Sequence, residues 1–340
     1  MNKGLLAICD SEEKFLYRLQ ELLEERDTFP FEIAIYSDID ALNRLISKGT
    51  VDVLLIEDKL YERVEAHQDT LIILLDTGMG SMDIPTIWKF QSGEAIRKEL
   101  LKAYSNHKSE DGEIRSSGTS IHVNRKRETI FIGVYSPIGR CLQTSFSVLL
   151  GKQLAARGPV LYLNFEPFSG LEKTLSYDSD KDLTDLVYFL RGGSERLIYK
   201  LEGMTCRMGS LDYIAPASSF TDLCQVEESD WLTLVTTLKK NSNYEYVILD
   251  LSEMVTGLLN VLRQCAIIYT ITKSDGRARA KLDQYEALLK ELEYDDVISK
   301  TRKKEFPIFK NLPEDLQNLE YSELAQFVKD MVKDDFADEL

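Results

Sequence analysis

The sequence contains little that would support a metal framework, a disulfide framework or a membrane span. Its five cysteines are scattered without a CxxC pair, and its three histidines lie far apart. This pattern argues against a zinc site and is typical of a protein of the reducing cytoplasm. No stretch approaches the ~20 apolar residues that a membrane span needs, and the apolar run at the N-terminus is too short for a signal peptide. We therefore expect a cytoplasmic protein.

Positive charge is also scarce. The 41 lysines and arginines are outnumbered by 57 aspartates and glutamates, which gives a net charge of -16. Such a chain repels nucleic acid and anionic lipid unless a local patch overrides the average. No helix-turn-helix pattern is visible, so a DNA-binding regulator is disfavoured and we expect no nucleic-acid partner. A length of 340 residues favours two domains.

Residues 1–104 alternate short apolar runs with amphipathic stretches. Alternation of this kind predicts a three-layer α/β/α domain with a parallel sheet between helices. We predict strands at residues 5–9, 31–36, 51–56, 71–75 and 86–88. We predict helices at residues 12–25, 39–47 and 93–104.

Polar residues follow four of these strands. Asp10 follows the first strand, Glu57 and Asp58 the third, Thr77 the fourth and Lys89 the fifth. This arrangement resembles the flavodoxin-like receiver domain of response regulators, and the resemblance implies a phosphoacceptor pocket. Glu57 stands where that family has its phosphoacceptor aspartate, and one acid replaces the usual pair after the first strand. We favour a pseudo-receiver kept for docking, with phosphorylation of Glu57 or Asp58 as the alternative.

Residues 105–128 have almost no apolar content and many serine, glycine and charged residues, so we predict a linker. The second domain is expected over residues 129–340. It begins with an uninterrupted apolar strand, a turn containing Gly139, and a helix. A strand, a glycine loop and a helix in this order are the layout of a phosphate-binding loop.

This loop resembles the deviant Walker A loop of the ParA/MinD ATPases. The resemblance implies a mostly parallel P-loop sheet that binds ATP at Gly139, Arg140, Cys141, Gln143, Thr144 and Ser145. Gln143 replaces the lysine that grips the phosphates, and Ile138 replaces the family's signature lysine. A glutamine supplies only a neutral amide donor. Arg140 and Leu142 replace glycines, and a left-handed backbone at Leu142 would cost about 1–2 kcal/mol.

Two further strands complete the resemblance. One ends at Asn164, followed by Glu166, where the family has two aspartates. The other, at residues 244–251, carries Asp250 at the Walker B position. The resemblance implies Mg²⁺ between Thr144 and Asp250 and makes Asn164 and Asp250 the catalytic candidates. Asparagine can orient a water but cannot accept its proton. The alternative is that Asp250 caps the following helix.

The two resemblances together are those of the two-domain CpaE family of Flp/Tad pilus assembly proteins. That family implies an ATPase-derived localisation or assembly factor with protein partners, dimeric when it binds ATP. Because the catalytic lysines are replaced, we expect weak ATP and Mg²⁺ binding and no useful hydrolysis. Two alternatives stay open. One is a working positioning ATPase in which Arg140 or a partner's residue replaces the lysines, and the other is a signalling adaptor with the pseudo-receiver as its input.

The C-terminal residues 321–340 form an amphipathic helical pattern with an acidic polar face. A helix that lies on an anionic bilayer needs lysine and arginine on that face. We therefore expect no direct membrane insertion. The apolar stripe should pack instead on the second domain or on a partner.

Overall fold

The computed structural model describes residues 3–25, 28–49, 51–65, 70–78, 84–110, 128–175, 181–191, 197–313, 315–316 and 318–336. The chain divides into two compact units. The first comprises Met1–Lys126 with Ile198–Gly203, and the second comprises Arg127–Leu197 with Met204–Leu340.

The first unit contains a five-stranded sheet whose four strand pairs are all parallel. Its elements are β1 Gly4–Cys9, α1 Glu13–Glu24, β2 Phe31–Tyr36, α2 Ile39–Ile46, β3 Val53–Glu57, a 3₁₀ helix Asp58–Arg63, β4 Leu71–Asp76, β5 Thr86–Trp88 and α3 Gly93–Glu110. The strand order β2-β1-β3-β4-β5 is that of flavodoxin-like doubly wound folds. The predicted parallel α/β fold is therefore confirmed for this unit.

Helix α3 ends later than its apolar pattern predicts, at Glu110 rather than residue 104. Tyr104 is buried, and its ring packs edge-on against Phe31 at 4.9 Å. The next turn is polar but contains no glycine or proline, so the helix continues. Tyr199, from the stretch Ile198–Gly203, also packs on Tyr104 at 4.7 Å. The rest of the predicted linker, residues 111–127, lies outside the described residues, as does most of the short β4–β5 connection.

The second unit contains a seven-stranded sheet of order β12-β11-β6-β10-β7-β9-β8. Its elements are β6 Ile130–Val134, α4 Gln143–Leu154, β7 Val160–Asn164, α5 Leu171–Leu175, α6 Leu183–Arg191, β8 Cys206–Met208, β9 Leu211–Tyr213, α8 Phe220–Cys224, α9 Glu228–Asn241, β10 Tyr246–Asp250, α10 Leu258–Gln264, β11 Ile267–Thr272, α11 Gly276–Glu291, α12 Asp295–Lys300, β12 Thr301–Glu305, a 3₁₀ helix Leu319–Tyr321 and α13 Glu323–Asp335. Helix α7 Leu197–Met204 lies between α6 and β8 in the chain, and its residues Ile198–Gly203 belong to the first unit. Among the described strands, only β8 and β9 pair antiparallel. The mostly parallel sheet is confirmed.

Strand register positions the functional site. The central strand β10 pairs in parallel with β6 on one side and β7 on the other. In this register Asp250 lies level with Val134 and with Asn164. The loop that follows β6 and the ends of β7 and β10 therefore meet at one edge of the sheet, where ligands bind in open α/β folds.

The C-terminal helix α13 packs within the second unit. Leu324, Val328 and Met331 are buried in the same apolar cluster as the core of α4. Asp335 accepts a hydrogen bond from the Tyr269 hydroxyl at 2.8 Å and forms an ion pair with Lys304. The apolar stripe was expected to pack on its own domain or on a partner, and in the structure it packs on its own domain. Within the described ranges, no helix has the length and apolar character needed to cross a bilayer.

Candidate functional site

The loop between β6 and α4 keeps a left-handed backbone without the glycines that usually allow it. Gly139, Arg140 and Leu142 have φ angles of 65°, 47° and 64°. This conformation costs a non-glycine residue about 1–2 kcal/mol. The Leu142 side chain packs against the main apolar cluster, which offsets part of that cost. The loop therefore adopts a left-handed backbone at Arg140 and Leu142, the two positions where the sequence analysis expected glycines to be replaced.

Gln143, which the sequence analysis expected to replace the phosphate-gripping lysine, points its side chain at strand β10. Its Nε2 donates to Asp250 Oδ1 at 2.8 Å and to the Leu251 carbonyl at 2.9 Å. Both amide hydrogens are used in these two bonds. The residue therefore binds the Walker B-type aspartate through a neutral group, where a lysine would bring a cation to a phosphate.

Asp250 is fully buried, and neutral donors surround its carboxyl group. Its Oδ2 accepts from the Tyr162 hydroxyl at 2.8 Å and from Asn164 Nδ2 at 3.0 Å. Asn164 also donates to the Tyr162 hydroxyl at 2.9 Å. Burial raises the pKa of Asp250, and the hydrogen bonds from its neighbours oppose that rise only in part. The catalytic candidates Asn164 and Asp250 thus belong to a closed hydrogen-bond network.

Tyr162 was not identified from the sequence as a site residue. Its hydroxyl is the only polar side-chain group in the interior of the VLYLN strand, and it is completely buried. A buried tyrosine hydroxyl normally finds a partner. This rule could have linked Tyr162 to the aspartate of the neighbouring strand.

A cavity of about 180 Å³ opens over the loop. All the predicted nucleotide-binding residues line it, namely Gly139, Arg140, Cys141, Gln143, Thr144 and Ser145. Glu166 and Glu253 also line it. Small-molecule sites commonly have volumes of about 300–1,000 Å³, so this cavity accommodates phosphate groups better than a whole nucleotide.

One acid that lines the cavity, Glu166, has a raised pKa. Burial, and after it the nearby charge of Asp250, raise the pKa of Glu166 to about 7, while hydrogen bonds from Thr144 and Asn164 oppose the rise. The Glu166 backbone N–H donates to Asn164 Oδ1 at 3.0 Å, which fixes the turn after β7. A phosphate bound on the loop would therefore share the cavity with the carboxyl groups of Glu166 and Glu253.

Two lysines that the sequence analysis did not identify donate hydrogen bonds to backbone carbonyls of the loop. Lys273 Nζ donates to the Arg140 carbonyl at 2.9 Å, and Lys281 Nζ donates to the Pro137 carbonyl at 3.3 Å. Lys273 directly follows β11, which pairs with β6. Parallel pairing places the carboxyl ends of both strands at one edge, and this was the available signal.

The residues fit an Mg²⁺–nucleotide only in part. Hydroxyl and carboxylate oxygens such as those of Thr144 and Asp250 suit Mg²⁺. However, Gln143, Tyr162 and Asn164 already occupy both oxygens of Asp250. Within the described part of the chain, no group of three or more acidic, histidine or cysteine side chains is arranged to hold a metal. The loop backbone fits a phosphate, and the side chains around it do not fit the metal.

The receiver-like residues of the first unit separate into pairs. Lys89 and Asp10 form a buried ion pair with an N–O distance of 2.8 Å. The Ser11 hydroxyl and N–H donate to Glu57 at 2.6 and 3.0 Å. The Thr77 N–H and hydroxyl donate to Asp58 at 2.8 and 2.9 Å.

Each acid of this pocket is held by its own partner. Burial raises the pKa of Asp10, although the Lys89 hydrogen bond opposes it. Burial acts in the same direction on Glu57, yet the Ser11 hydrogen bonds together with the charges of Lys89 and Lys59 hold the pKa of Glu57 below its ordinary value. Glu57, at the predicted phosphoacceptor position, is 3% exposed. An incoming phosphodonor would have to break the Ser11 contacts to reach it.

No protein-family model matches the chain, and no curated protein matches it. Several solved structures are similar. The ParA family ATPase from Chlorobium tepidum TLS is 20% identical, the match covering 61% of this chain and 98% of that one at a TM-score of 0.49. The McdA(D38A)–ATP complex from Cyanothece is 14% identical. That match covers 61% of this chain and 79% of that one, with a TM-score of 0.42. A plasmid partition protein from Borrelia burgdorferi is 12% identical. That match covers 63% of this chain and 100% of that one, with a TM-score of 0.43. Likenesses this distant carry no argument about function.

Proposed function

We propose that this chain is a regulatory or scaffolding protein, built on a ParA/MinD-type fold, that does not hydrolyse ATP at a useful rate. The observation that carries the proposal is the contact of Gln143 Nε2 with Asp250 Oδ1. The residue at the phosphate-gripping position is neutral and is bonded to the residue at the metal position. Both groups are therefore hydrogen-bonded to each other.

The electrostatics support the same conclusion. Phosphoryl transfer depends on cations that neutralise the charge developing on the phosphate oxygens. Two acids, Glu166 and Glu253, are among the residues that line the cavity. Arg140 is the one cationic side chain among the residues lining the cavity. Asn164 cannot take a proton from water and is already bonded to Asp250.

Residual nucleotide binding remains part of the proposal. The left-handed loop and the first N–H groups of α4 form a concave surface that attracts anions. We therefore expect weak ATP binding through the phosphates. Replacing Gln143 with lysine and Leu142 with glycine should strengthen it, because the change restores a cation and relieves the left-handed leucine. If the repaired loop binds ATP no better than the natural one, the remaining cavity does not support nucleotide.

The order of a receiver-like unit and a ParA/MinD-like unit supports a role of the CpaE type, in the assembly or localisation of a larger complex. Partners would then be proteins, and a homodimer is one form of the active state. The buried Asp10–Lys89 pair and the Ser11-bound Glu57 favour a pseudo-receiver that docks. Intact mass after incubation with a small phosphodonor tests this, since a phosphorylated species lost on Glu57→Gln or Asp58→Asn would show phosphotransfer.

Phosphate release by the purified full chain tests the central proposal. We expect a rate no higher than that of the Asp250→Ala variant with Mg²⁺ and ATP present. Release at rates ordinary for ParA/MinD ATPases, lost in Asp250→Ala, would establish the alternative of a working positioning ATPase. Arg140→Ala then shows whether Arg140 replaces the missing lysine.

A further inference from the structure

Two phenylalanines of the second unit form an exposed pair beside the cavity. Phe168 is 80% exposed and Phe220 is 43% exposed, and their ring centroids are 5.6 Å apart. Phe168 follows β7 by four residues, and Phe220 is the first residue of α8. Paired aromatic rings left in water are uncommon on a protein that acts alone and mark contact surfaces.

The turn after β7 contacts three other segments at the carboxyl edge of the sheet. The Ser252 hydroxyl, from the loop after β10, donates to the Phe165 carbonyl at 2.8 Å. The Trp231 ring, from α9, packs edge-on against the Phe165 ring at 5.1 Å. The contact between Phe168 and Phe220 joins the same turn to α8, so the segments that carry the exposed pair and the nearby acids adjoin this turn.

This surface is strongly acidic. The three stretches 165–174, 216–228 and 251–257 contain six acidic residues and one lysine. Glu172, Asp222 and Glu253 are exposed to solvent. A second copy meeting the surface with the same surface would bring acid against acid, which the repulsion between like charges opposes. A partner of opposite charge is favoured instead.

We propose that the aromatic–acidic surface, made of Phe168, Phe220, Glu172, Asp222 and Glu253, binds a basic segment of a partner protein. An apolar side chain of that segment packs on the two rings, and its lysines or arginines face the carboxylates. Arginine suits the surface especially well, because its guanidinium can stack on a phenylalanine face while it pairs with an acid. The inference deepens the scaffolding role proposed above by giving the chemistry of a partner.

A random-peptide display library selected against the full chain tests the proposal. We expect the enriched peptides to be basic with at least one apolar or aromatic residue, and their binding to weaken as salt rises. Binding should fall at least about tenfold in a Phe168→Ser/Phe220→Ser variant, since truncated aromatic anchors dominate such contacts. Tyr321→Ser is the matched control, because Tyr321 is 83% exposed and lies outside this surface.

Several outcomes would overturn the proposal. They are peptides without a basic excess, no enriched peptide, or equal binding by the double-serine variant. Sedimentation that shows self-association lost in that variant would identify a second copy as the occupant instead. Both phenylalanines are exposed, and circular dichroism checks that the variant is folded. Glu172→Lys/Asp222→Lys gives an independent test, since reversing the charge must also weaken binding. Phosphate release decides the proposed catalytic inactivity separately from all these results.

Discussion

Replacing Glu166 with glutamine should stabilise the protein at alkaline pH and leave its stability unchanged in acid. Burial and the charge of Asp250 raise the pKa of Glu166 from 4.5 to about 7. The folded chain therefore holds a proton on Glu166 that the unfolded chain has already lost above pH 4.5. Stability contributed by that proton falls as the pH rises from about 4.5 through about 7. Glutamine cannot ionise, so the variant escapes this loss.

The magnitude follows from the size of the pKa change. Raising a carboxyl pKa from 4.5 to about 7 corresponds to roughly 3 kcal/mol of lost folding free energy once the group is ionised, at about 1.4 kcal/mol per pH unit. Glu166 lines an open cavity, so solvent screens part of this. Above the pH range in which Glu166 titrates, we expect the free energy of unfolding of Glu166→Gln to exceed that of the natural protein by about 1–2 kcal/mol. Below that range the two free energies should be equal.

Urea unfolding followed by tryptophan fluorescence measures the difference. Trp231 packs on Phe165, next to Glu166, and a Trp88→Phe background leaves Trp231 as the only tryptophan. Unfolding curves at about pH 5 and about pH 8.5 bracket the titration. Glu172→Gln is the control, because it makes the same substitution at an exposed position outside the cavity. A stability difference for Glu166→Gln that is equal at both pH values would refute the reasoning.

Three further substitutions test the energetics. Arg140→Gly should raise the free energy of unfolding by about 1 kcal/mol, because it removes an arginine with a left-handed backbone. The control Arg279→Gly, in the helix α11, should lower it by about as much. Thermal unfolding measures both changes. Asp335→Asn should weaken the contacts of α13 with Lys304 and Tyr269. Amide hydrogen exchange in that helix should then be faster, and unchanged exchange would contradict this prediction. Lys89→Met should destabilise by about 3–5 kcal/mol because Asp10 is left buried and unpaired. Adding Asp10→Asn should restore much of that loss in denaturant unfolding.

Hydrophobic patterning predicted the buried strands because each is an unbroken apolar run between turn residues. It missed β12, Thr301–Glu305, because that edge strand reads TRKKE. Lysines are common on exposed sheet edges, where they prevent further strand pairing. Strand β8 and its hairpin with β9 were missed because β8 is only three residues long. Gly209, with φ of 64° in the turn, was the available signal.

The site was predicted as a set of positions and not as a network. The resemblance to the ParA/MinD loop and strands, taken in their order along the chain, indicated Gln143, Asn164 and Asp250. The sequence could not show that the Gln143 amide turns toward Asp250, since that depends on strand register and side-chain rotamers. The same limit applies to Lys273 and Lys281, whose contacts with the loop cross 133 and 144 residues of sequence.

A calorimetric titration of the full chain with ATP, with and without Mg²⁺, tests the central claim most directly. The Asp250 carboxyl is engaged by Gln143, Tyr162 and Asn164, so a metal gains little there. The account predicts weak binding with the same affinity in both titrations. Binding that Mg²⁺ tightens by about tenfold or more, with the gain abolished by Asp250→Ala, would contradict it.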